Sequence, residues 1–310
     1  MKKDTELIII GGGIAGVSAC VYACRSGLDF LLFEPQAIGG QLLFMENIDN
    51  YIGLGLGIKG RDMAENLVKT LDGLGVKPIN KAITKVQTED KNIILDASEY
   101  QVSTKAAIIA TGASFKKLAV KGEDEFSGKG VSYCAVCDGF FFKGKDVAVV
   151  GGGNTAVEEA LYLSDIVNKV ILIHRRDKLR ALDYLQKELF AKPNVEVIFD
   201  SVIKEVRGND LVKELVIENV KNGQTDSLAI QGLFVAIGIK PNTEIFNNIV
   251  SMDESGFILC DEQMQTSQSS IWAAGDCRRR PLRQLITAAS EGAIATISAY
   301  KYLRGHYIST

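Results

Sequence analysis

The sequence predicts an α/β protein in which one strand–turn–helix–strand unit occurs twice. A glycine-rich turn follows a short apolar run at Gly11, and the same pattern returns 140 positions later at Gly151. Each turn is followed by a helix-like stretch and then by a second apolar run, which is the order of a βαβ unit. The length of 310 residues agrees with this arrangement, because about 150 residues per domain gives about two domains.

The first unit starts with Leu7–Ile10, an apolar run that predicts a buried strand. The turn Gly11-Gly12-Gly13-Ile14-Ala15-Gly16 follows, with the G-x-G-x-x-G spacing of dinucleotide-binding turns. In that spacing the first glycine forms the tight turn, the second lets a pyrophosphate approach the backbone, and the third lets helix and strand pack closely. A helix is expected over Val17–Ser26 and a strand over Phe30–Phe33, with Glu34 directly after it.

The second unit repeats these steps, with a strand at Val147–Val150, a helix from Val157 to about Ser164 and a strand at Val170–Ile173. Its turn is Gly151-Gly152-Gly153-Asn154-Thr155-Ala156, in which alanine stands at the third glycine position, as the pattern permits. Two such turns in register are stronger support than a single glycine motif. They predict two Rossmann-like dinucleotide-binding domains.

The two units differ at the residue after their second strand. Glu34 can accept hydrogen bonds from the hydroxyls of a ribose, whereas the matching position is His174, in the run His174-Arg175-Arg176-Asp177-Lys178-Leu179-Arg180. Guanidinium groups bind phosphate strongly, so the arginines suit a 2′-phosphate. We therefore expect FAD in the first unit and NADPH in the second. The alternative for Arg175, Arg176 and Arg180 is an ordinary solvated loop.

Later apolar runs indicate how the two domains are nested. Ala106–Ala110 and Leu233–Ile237 each predict a strand that closes one dinucleotide fold. Ile271–Ala274 predicts a strand that ends in Gly275-Asp276 and rejoins the first domain. The expected organisation is a discontinuous FAD-binding domain, residues 1–113 and 243–310, with an NADPH-binding domain inserted at residues 114–242. Two connections between the domains suit a hinged rotation.

The composition of the chain argues against a nucleic-acid-binding protein and against a membrane protein. Hydrophobic residues make up 46% of the chain and charged residues 24%, which is ordinary for a globular protein. The formal net charge of −3 gives no excess of positive charge for nucleic acid, and no apolar run approaches the roughly 18 residues of a membrane helix. The first residues contain no apolar signal region, so we expect a cytoplasmic protein without nucleic-acid or membrane partners.

The pair in Cys134-Ala135-Val136-Cys137 lies just before the second glycine turn and has the C-x-x-C spacing of redox pairs. Such cysteines often have thiol pKa values well below the ordinary value of about 8.5. A structural zinc site needs four ligands, and the sequence has no second C-x-x-C or H-x-x-x-H. We predict a redox-active pair and no metal, with half of a zinc site and an unreactive buried pair as the alternatives.

Asp138 follows the second cysteine directly. Dithiol–disulfide exchange needs groups that move protons, and the chain has only 2 histidines, one of them His174 in the arginine loop. We therefore predict that Asp138 protonates a leaving thiolate; the alternative is that it caps a helix N-terminus. Cys277 adjoins Asp276, and a third redox cysteine there is a further possibility beside simple core packing.

Together the motifs resemble those of the low-molecular-weight, bacterial-type thioredoxin reductases, which are FAD/NAD(P)-dependent disulfide oxidoreductases. The resemblance covers essentially the whole chain and rests on Cys134-Ala135-Val136-Cys137-Asp138, on the second glycine turn, on His174-Arg175-Arg176-Asp177 and on Gly275-Asp276 with Arg283-Gln284. It implies a homodimer with one FAD per subunit that passes electrons from NADPH to thioredoxin or a thioredoxin-like protein. It also implies that Cys137 receives electrons from the flavin, that Cys134 attacks the thioredoxin disulfide and that Asp138 donates the proton.

The resemblance and the two turns assign residues to each cofactor. The expected FAD contacts are Gly11, Gly13, Ile14, Ala15, Gly16, Glu34, Gly39, Gly40, Gln41, Leu42, Asn47, Gly112, Gly275, Asp276, Arg283, Gln284 and Leu285. The expected NADPH contacts are Gly151, Gly153, Asn154, Thr155, Ala156, His174, Arg175, Arg176, Arg180 and Gly238.

One segment departs from that family, which usually has a proline-glycine pair after Glu-Asn. Here Glu46-Asn47 is preceded by Leu43-Phe44-Met45 and followed by Ile48-Asp49-Asn50-Tyr51. We expect this segment to lie near the isoalloxazine ring and FAD binding to be retained, while the flavin potential and the preferred partner of the family do not carry over to this chain.

Two other functions remain open from the sequence. A flavin dithiol oxidase would pass electrons to oxygen without NADPH, and the arginine cluster argues against it. A redox sensor would bind FAD and NADPH without turnover, and the intact set of Cys134, Cys137 and Asp138 argues against that.

Overall fold

The computed structural model describes residues 2–45, 47–89, 92–98 and 100–305. The helices are α1 (Ile14–Arg25), α2 (Gly60–Gly73), α3 (Ala135–Asp138), α4 (Asn154–Ser164), α5 (Asp183–Ala191) and α6 (Leu285–Leu303). The strands are β1 (Lys2–Ile10), β2 (Phe30–Phe33), β3 (Lys85–Glu89), β4 (Asn92–Ala97), β5 (Tyr100–Ile109), β6 (Ala113–Phe115), β7 (Val131–Ser132), β8 (Asp146–Gly151), β9 (Lys169–Ile173), β10 (Val195–Ile198), β11 (Ser201–Gly208), β12 (Val212–Asn219), β13 (Thr225–Ala229), β14 (Gly232–Ala236), β15 (Ile239–Pro241) and β16 (Ile271–Ala273). Helices and parallel strands confirm the predicted α/β class.

The chain divides into two compact units. We call Met1–Ser114 with Lys240–Thr310 the outer unit and Phe115–Ile239 the inserted unit. Strands β6 and β15 pair where the chain passes from one unit to the other and back.

The outer unit is built on one mixed sheet in the order β2-β1-β5-β4-β3. Strand β5 pairs with antiparallel β4 along its first half and with parallel β16 along its second half. Successive residues of β1 face opposite sides, so Leu7 and Ile9 pack into the core below α1 and α6, and Ile8 packs into the other core. Helices α1 and α6 approach each other so closely at Gly292 that a Cβ there would lie only 2.1 Å from the carbonyl oxygen of Ala15.

The inserted unit has a parallel sheet in the order β10-β9-β8-β14-β7 and an antiparallel sheet in the order β11-β12-β13. Alternation along β8 separates its two cores: Val147 and Val149 pack with α4 and α5, whereas Ala148 and Val150 pack with the antiparallel sheet. The parallel sheet is therefore covered on both faces, and its strands read as continuous apolar runs.

Both glycine-turn helices begin earlier than the sequence pattern predicts. Helix α1 starts at Ile14 instead of Val17, and α4 starts at Asn154 instead of Val157. The reason is that Gly13 and Gly153 are the N-caps, so the last three residues of each motif already form the first helical turn. The unpaired N–H groups of each helix therefore lie within the glycine turn.

Within the described part of the chain, no helix is both long enough and apolar enough to cross a membrane.

Candidate active site

Cys134 and Cys137 form a disulfide at the start of α3, with 5.3 Å between their Cα atoms. The pair follows β7, an edge strand of the parallel sheet. Cys134 is the N-cap of α3, and its sulfur accepts a hydrogen bond from the backbone N–H of Cys137 at 3.2 Å. Both cysteines are half-buried, and Val136 between them is exposed.

The carboxyl group of Asp138 is held by a serine that the sequence analysis did not single out. Ser132 Oγ donates a hydrogen bond to Asp138 Oδ2 at 2.5 Å and accepts one from the backbone N–H of Cys134 at 3.1 Å. Burial raises the pKa of Asp138, and the hydrogen bond from Ser132 partly opposes that rise. A carboxyl group with a raised pKa beside a disulfide is suited to proton transfer.

The glycine turn of the outer unit lies between β1 and α1. Gly11 has a φ of +110°, and a Cβ there would lie 2.3 Å from the carbonyl oxygen of Ala110. A Cβ on Gly16 would lie 1.8 Å from the carbonyl oxygen of Gly11, so both positions require glycine. At Gly13 a Cβ would meet nothing within 4 Å. The N-terminus of α1 therefore opens onto space in which a phosphate can approach the backbone.

Glu34, the residue after β2, packs across the middle of this turn. Its Oε2 accepts the backbone N–H of Gly12 at 2.6 Å, and its Oε1 accepts that of Gln36 at 2.8 Å. A Cβ on Gly12 would lie 2.9 Å from Glu34 Cγ. The carboxylate is thus fixed beside the turn, where folds of this kind contact a ribose.

The next loop also meets the glycine turn. The backbone N–H of Gly39 donates to the carbonyl oxygen of Gly12 at 2.9 Å. Gln41 Nε2 donates to the carbonyl oxygen of Ala113 at 2.6 Å, while Leu42 is buried in the core. The structure therefore brings the predicted segment from Gly39 to Leu42, including Gly40, next to the turn.

Buried polar atoms without partners lie after the carboxyl ends of β5 and β16. Among the described residues, Thr111 Oγ1, Asp276 Oδ1 and Arg283 Nε have no hydrogen-bond partner and almost no accessible surface. Gly112, with a φ of +66°, has open space where a Cβ would lie. Buried polar groups are normally satisfied, so these atoms fit a site that a polar ligand completes.

Glu291 on α6 fixes the segment that carries Asp276. Its Oε2 accepts the backbone N–H of Gly275 at 2.8 Å. Arg278 Nη1 donates to its Oε1 at 2.7 Å, and Arg280 Nη1 donates to its Oε2 at 3.2 Å. Burial raises the pKa of Asp276, and the Arg280 guanidinium is the main opposing charge.

In the inserted unit the second glycine turn lies between β8 and α4. A Cβ on Gly151 would lie 2.5 Å from Ala156 Cβ, whereas a Cβ on Gly153 would meet nothing within 4 Å. Asn154 and Thr155 are exposed in the first turn of α4. The turn therefore has the same open N-terminus as its counterpart in the outer unit.

His174, the residue after β9, packs on the middle of this second turn. A Cβ on Gly152 would lie 2.2 Å from the His174 ring. The side chain is buried, its Nε2 has no hydrogen-bond partner in the described ranges, and burial lowers its pKa. A neutral ring is therefore favoured at the position that Glu34 occupies in the outer unit.

The three arginines of the following loop are available to an anion. Arg175, Arg176 and Arg180 are exposed, and none forms an ion pair with a residue that the structure describes. The backbone N–H of Arg180 donates to the carbonyl oxygen of Gly152 at 2.7 Å, which ties the loop to the glycine turn. Phosphate is the ligand that such a cluster of guanidinium groups suits.

Comparison with known proteins identifies the family. The profile of the pyridine nucleotide-disulphide oxidoreductases matches residues 5–292. The chain belongs to this family.

Individual members of the family match nearly the full length. The thioredoxin reductase of Coxiella burnetii is 42% identical over 307 residues, 96% of each chain, and that of Treponema pallidum is 39% identical over 303 residues, 98% of each. The crystal structure of thioredoxin reductase from Streptococcus pyogenes is 41% identical and has a TM-score of 0.94, covering 97% of this chain and 99% of that one. The resemblance inferred from the motifs is confirmed.

One residue of this oxidoreductase that the sequence analysis missed lies in the segment that departs from the family pattern. Asn47 is exposed, and Glu46 lies outside the described residues. Asn50 Nδ2 instead donates to Gln284 Oε1 at 3.0 Å. Gln284 is the N-cap of α6 and Leu285 its first residue, so Asn50 lies beside two residues that the sequence analysis predicts to contact FAD.

The structure also shows where two further residues from the sequence analysis lie, Gly238 and Cys277. Gly238 lies two residues after Ala236, which pairs with Gly151, and has a φ of +110°. Cys277 is fully buried, and burial raises the pKa of its thiol to about 12, which favours simple core packing over a further redox cysteine. Among the described residues, no group of three or more His, Cys, Asp or Glu side chains could hold a metal ion.

Proposed function

We propose that the protein is an NADPH-dependent thioredoxin reductase. It transfers electrons from NADPH through FAD and the Cys134–Cys137 disulfide to the disulfide of thioredoxin or a thioredoxin-like protein. The observation that carries the proposal is the half-buried Cys134–Cys137 disulfide next to the carboxyl group of Asp138, whose pKa is raised by burial. Both lie in the unit that also contains a glycine turn of the dinucleotide-binding type. The full-length thioredoxin reductase relatives support the same activity.

FAD fits the outer unit. The open space at Gly13 suits a pyrophosphate, and the fixed carboxylate of Glu34 suits ribose hydroxyls. Among the described residues, the buried Thr111 Oγ1, Asp276 Oδ1 and Arg283 Nε accept or donate no hydrogen bond, although Asp276 Oδ1 lies 3.5 Å from Arg280 Nη1, and these atoms suit a polar ligand. When bound, FAD supplies two-electron transfer between a nicotinamide and a disulfide. The role of the protein residues is to bind and orient it.

NADPH, in preference to NADH, fits the inserted unit. The exposed, unpaired guanidinium groups of Arg175, Arg176 and Arg180 would contact the 2′-phosphate that distinguishes the two cofactors. Burial lowers the pKa of His174 and so favours its neutral form, which leaves the recognition of the 2′-phosphate to the arginines.

The cysteines would act in sequence, as the resemblance implies. Cys137 would receive electrons on the flavin side, and Cys134 would attack the partner disulfide. A thiolate on Cys134 is favoured by its N-cap position, where the N–H of Cys137 points at the sulfur. Asp138 would hold the proton that a leaving thiolate takes up, because burial favours its neutral form. The resemblance alone supports a homodimer and a cytoplasmic location, which we also propose.

Anaerobic mixing of the FAD-loaded protein with NADPH tests the first half of the pathway. We expect the flavin absorbance to bleach and oxidised thioredoxin to be turned over, with NADH much less effective. No bleaching would rule out the reductase. Bleaching without turnover of any thioredoxin-like protein would favour a sensor, and oxygen-dependent disulfide formation in small dithiols would favour an oxidase.

Replacing one cysteine tests the order of electron flow. Cys134→Ser should abolish thioredoxin reduction while NADPH still reduces the flavin at the wild-type rate. Loss of flavin reduction in this variant would contradict the assigned order.

A further inference from the structure

Ser132 lies in the inserted unit at the end of β7, two residues before the redox pair, and its side chain is 4% exposed. Its hydroxyl contacts both ends of the four-residue helix α3. The Oγ accepts the backbone N–H of Cys134, the N-cap, at 3.1 Å and donates to Oδ2 of Asp138, the last residue, at 2.5 Å. The backbone N–H of Asp138 also donates to the carbonyl oxygen of Cys134 at 3.1 Å.

The hydroxyl has one hydrogen, and the distances decide where it lies. The contact from Ser132 Oγ to Asp138 Oδ2 is 2.5 Å, whereas the contact to the carbonyl oxygen of Cys134 is 3.4 Å. A short O–H···O contact of about 2.5–2.7 Å is typical of a carboxylate acceptor. Oδ2 of the ionised Asp138 carboxylate is therefore the acceptor of the Ser132 hydrogen.

We propose that Ser132 is a positioning residue for the acid of the disulfide reaction. It holds Oδ2 of Asp138 as an acceptor and so makes Oδ1 the oxygen that carries the transferable proton. By accepting the backbone N–H of Cys134 as well, Ser132 keeps the Asp138 carboxyl group at a fixed position relative to the N-terminus of α3 when the disulfide is open. The inference rests on the proposed function only in taking Asp138 as the proton donor.

The pKa of Asp138 should report whether the Ser132 hydroxyl is present, because burial and the hydrogen bond shift it in opposite directions. Burial raises the pKa of Asp138 and the Ser132 hydrogen bond lowers it. Removing the hydroxyl therefore raises the pKa further, because the ionised form loses its hydrogen bond. The other titratable groups on and beside α3 are Cys134 and Cys137, once their disulfide is open, and Glu159 of α4, whose carboxyl group accepts a hydrogen bond from the backbone N–H of Ala135. None of these groups is changed in Ser132→Ala, so the comparison with wild type isolates the loss of the hydroxyl.

The test compares three variants of the FAD-loaded enzyme in pre-steady-state reduction of thioredoxin over a range of pH. Ser132→Ala should slow the step that opens and closes the disulfide about 10-fold at neutral pH and move the alkaline limb of its profile to higher pH. Ser132→Thr keeps a hydroxyl and should stay within about 3-fold of wild type. Ser201→Ala is the matched control, because Ser201 is also buried and its Oγ donates to the carbonyl oxygen of Phe199 at 2.9 Å.

A double-mutant cycle separates positioning of Asp138 from general stabilisation. If Ser132 acts through Asp138, Ser132→Ala should cost less than about 2-fold when added to Asp138→Asn. A full 10-fold loss in that background, or an equal loss in Ser201→Ala, would overturn the proposal. Flavin reduction by NADPH should be unchanged in Ser132→Ala, so a failure of the proposed function in the wild-type protein remains a separate result.

Discussion

The two glycine turns have the same construction and opposite chemistry at one position. In each, the residue after the second strand packs on the middle glycine: Glu34 on Gly12 in the outer unit, and His174 on Gly152 in the inserted unit. Glu34 is held there by the N–H of Gly12, whereas His174 is buried with its Nε2 unpartnered in the described residues and is followed by exposed arginines.

The difference separates what packing requires from what a ligand requires. The close contact with the middle glycine is satisfied by a carboxylate or by an imidazole, so packing does not specify the charge. The charge next to the turn decides which ribose is accepted. The comparison therefore predicts that changes to the turn abolish binding, whereas changes to the following residues alter selectivity.

The largest effect is expected at the third position of the motif. In Gly16→Ala the new Cβ would lie 1.8 Å from the carbonyl oxygen of Gly11, so α1 must move away from β1. We expect the protein to be purified without flavin and its free energy of unfolding to fall by about 2–3 kcal/mol. Absorbance at the flavin bands and chemical denaturation measure both.

The matched position in the inserted unit is the control. Ala156 already carries a Cβ, so Ala156→Gly should keep both cofactors and lose only about 1 kcal/mol from the added flexibility of the helix. If Gly16→Ala retained FAD, the two turns would not differ in the way that their packing indicates.

The arginine loop should give the next largest effect. Arg175→Ala with Arg176→Ala should lower kcat/KM for NADPH about 100-fold, since each lost contact to a phosphate costs about 1.5–3 kcal/mol. The value for NADH should change less than about 3-fold, because NADH has no 2′-phosphate. Equal losses for both cofactors would show that the loop does not read this phosphate.

Much of this comparison could be predicted from the sequence, because it depends on local order along the chain. Apolar runs, glycine spacing and the residue after a strand are adjacent in sequence, and the repeat 140 positions later gives an internal check. The helix starts were predicted three residues too late because the whole glycine motif was assigned to the turn, whereas its last three residues form the first helical turn.

The contacts that complete each site depend on the folded chain. Ser132 reaches Asp138 only because α3 turns back on the end of β7, and Asn50 reaches Gln284 across 234 positions of sequence. Neither side chain stands in a motif of its own. A hydroxyl or an amide is common in loops, so nothing but the folded geometry distinguishes these two from the rest.

A smaller effect is expected from the carboxylate of the outer unit. Glu34→Gln keeps the shape but loses the charge that accepts the N–H of Gly12 at 2.6 Å. We expect FAD to bind about 10-fold more weakly, because a charge-assisted hydrogen bond is worth roughly twice a neutral one. Titration of the flavin-free protein with FAD measures this, and NADPH selectivity should remain as in wild type.

The smallest effect on cofactor binding concerns the helices that follow the turns. Glu159 lies in α4 at the position where α1 has the fully buried Ala19, and its Oε2 has no partner in the residues that the structure describes. Burial raises the pKa of Glu159 to about 7. A carboxyl group with a raised pKa in the folded state is neutral there at a pH where the unfolded chain is ionised, so stability falls as pH rises from the unfolded value towards about 7.

Removing this charge should therefore stabilise the protein only when the carboxyl would be ionised. We expect Glu159→Gln to raise the free energy of unfolding by about 2–3 kcal/mol more at pH about 8 than at pH about 5, since the pKa rises from 4.5 to about 7 and each unit is worth about 1.4 kcal/mol. Glu158→Gln, at an exposed neighbour on α4, is the control and should show no such dependence on pH. Equal effects of Glu159→Gln at both pH values would mean that the carboxyl is ionised in the fold and that α4 tolerates a buried charge where α1 has alanine.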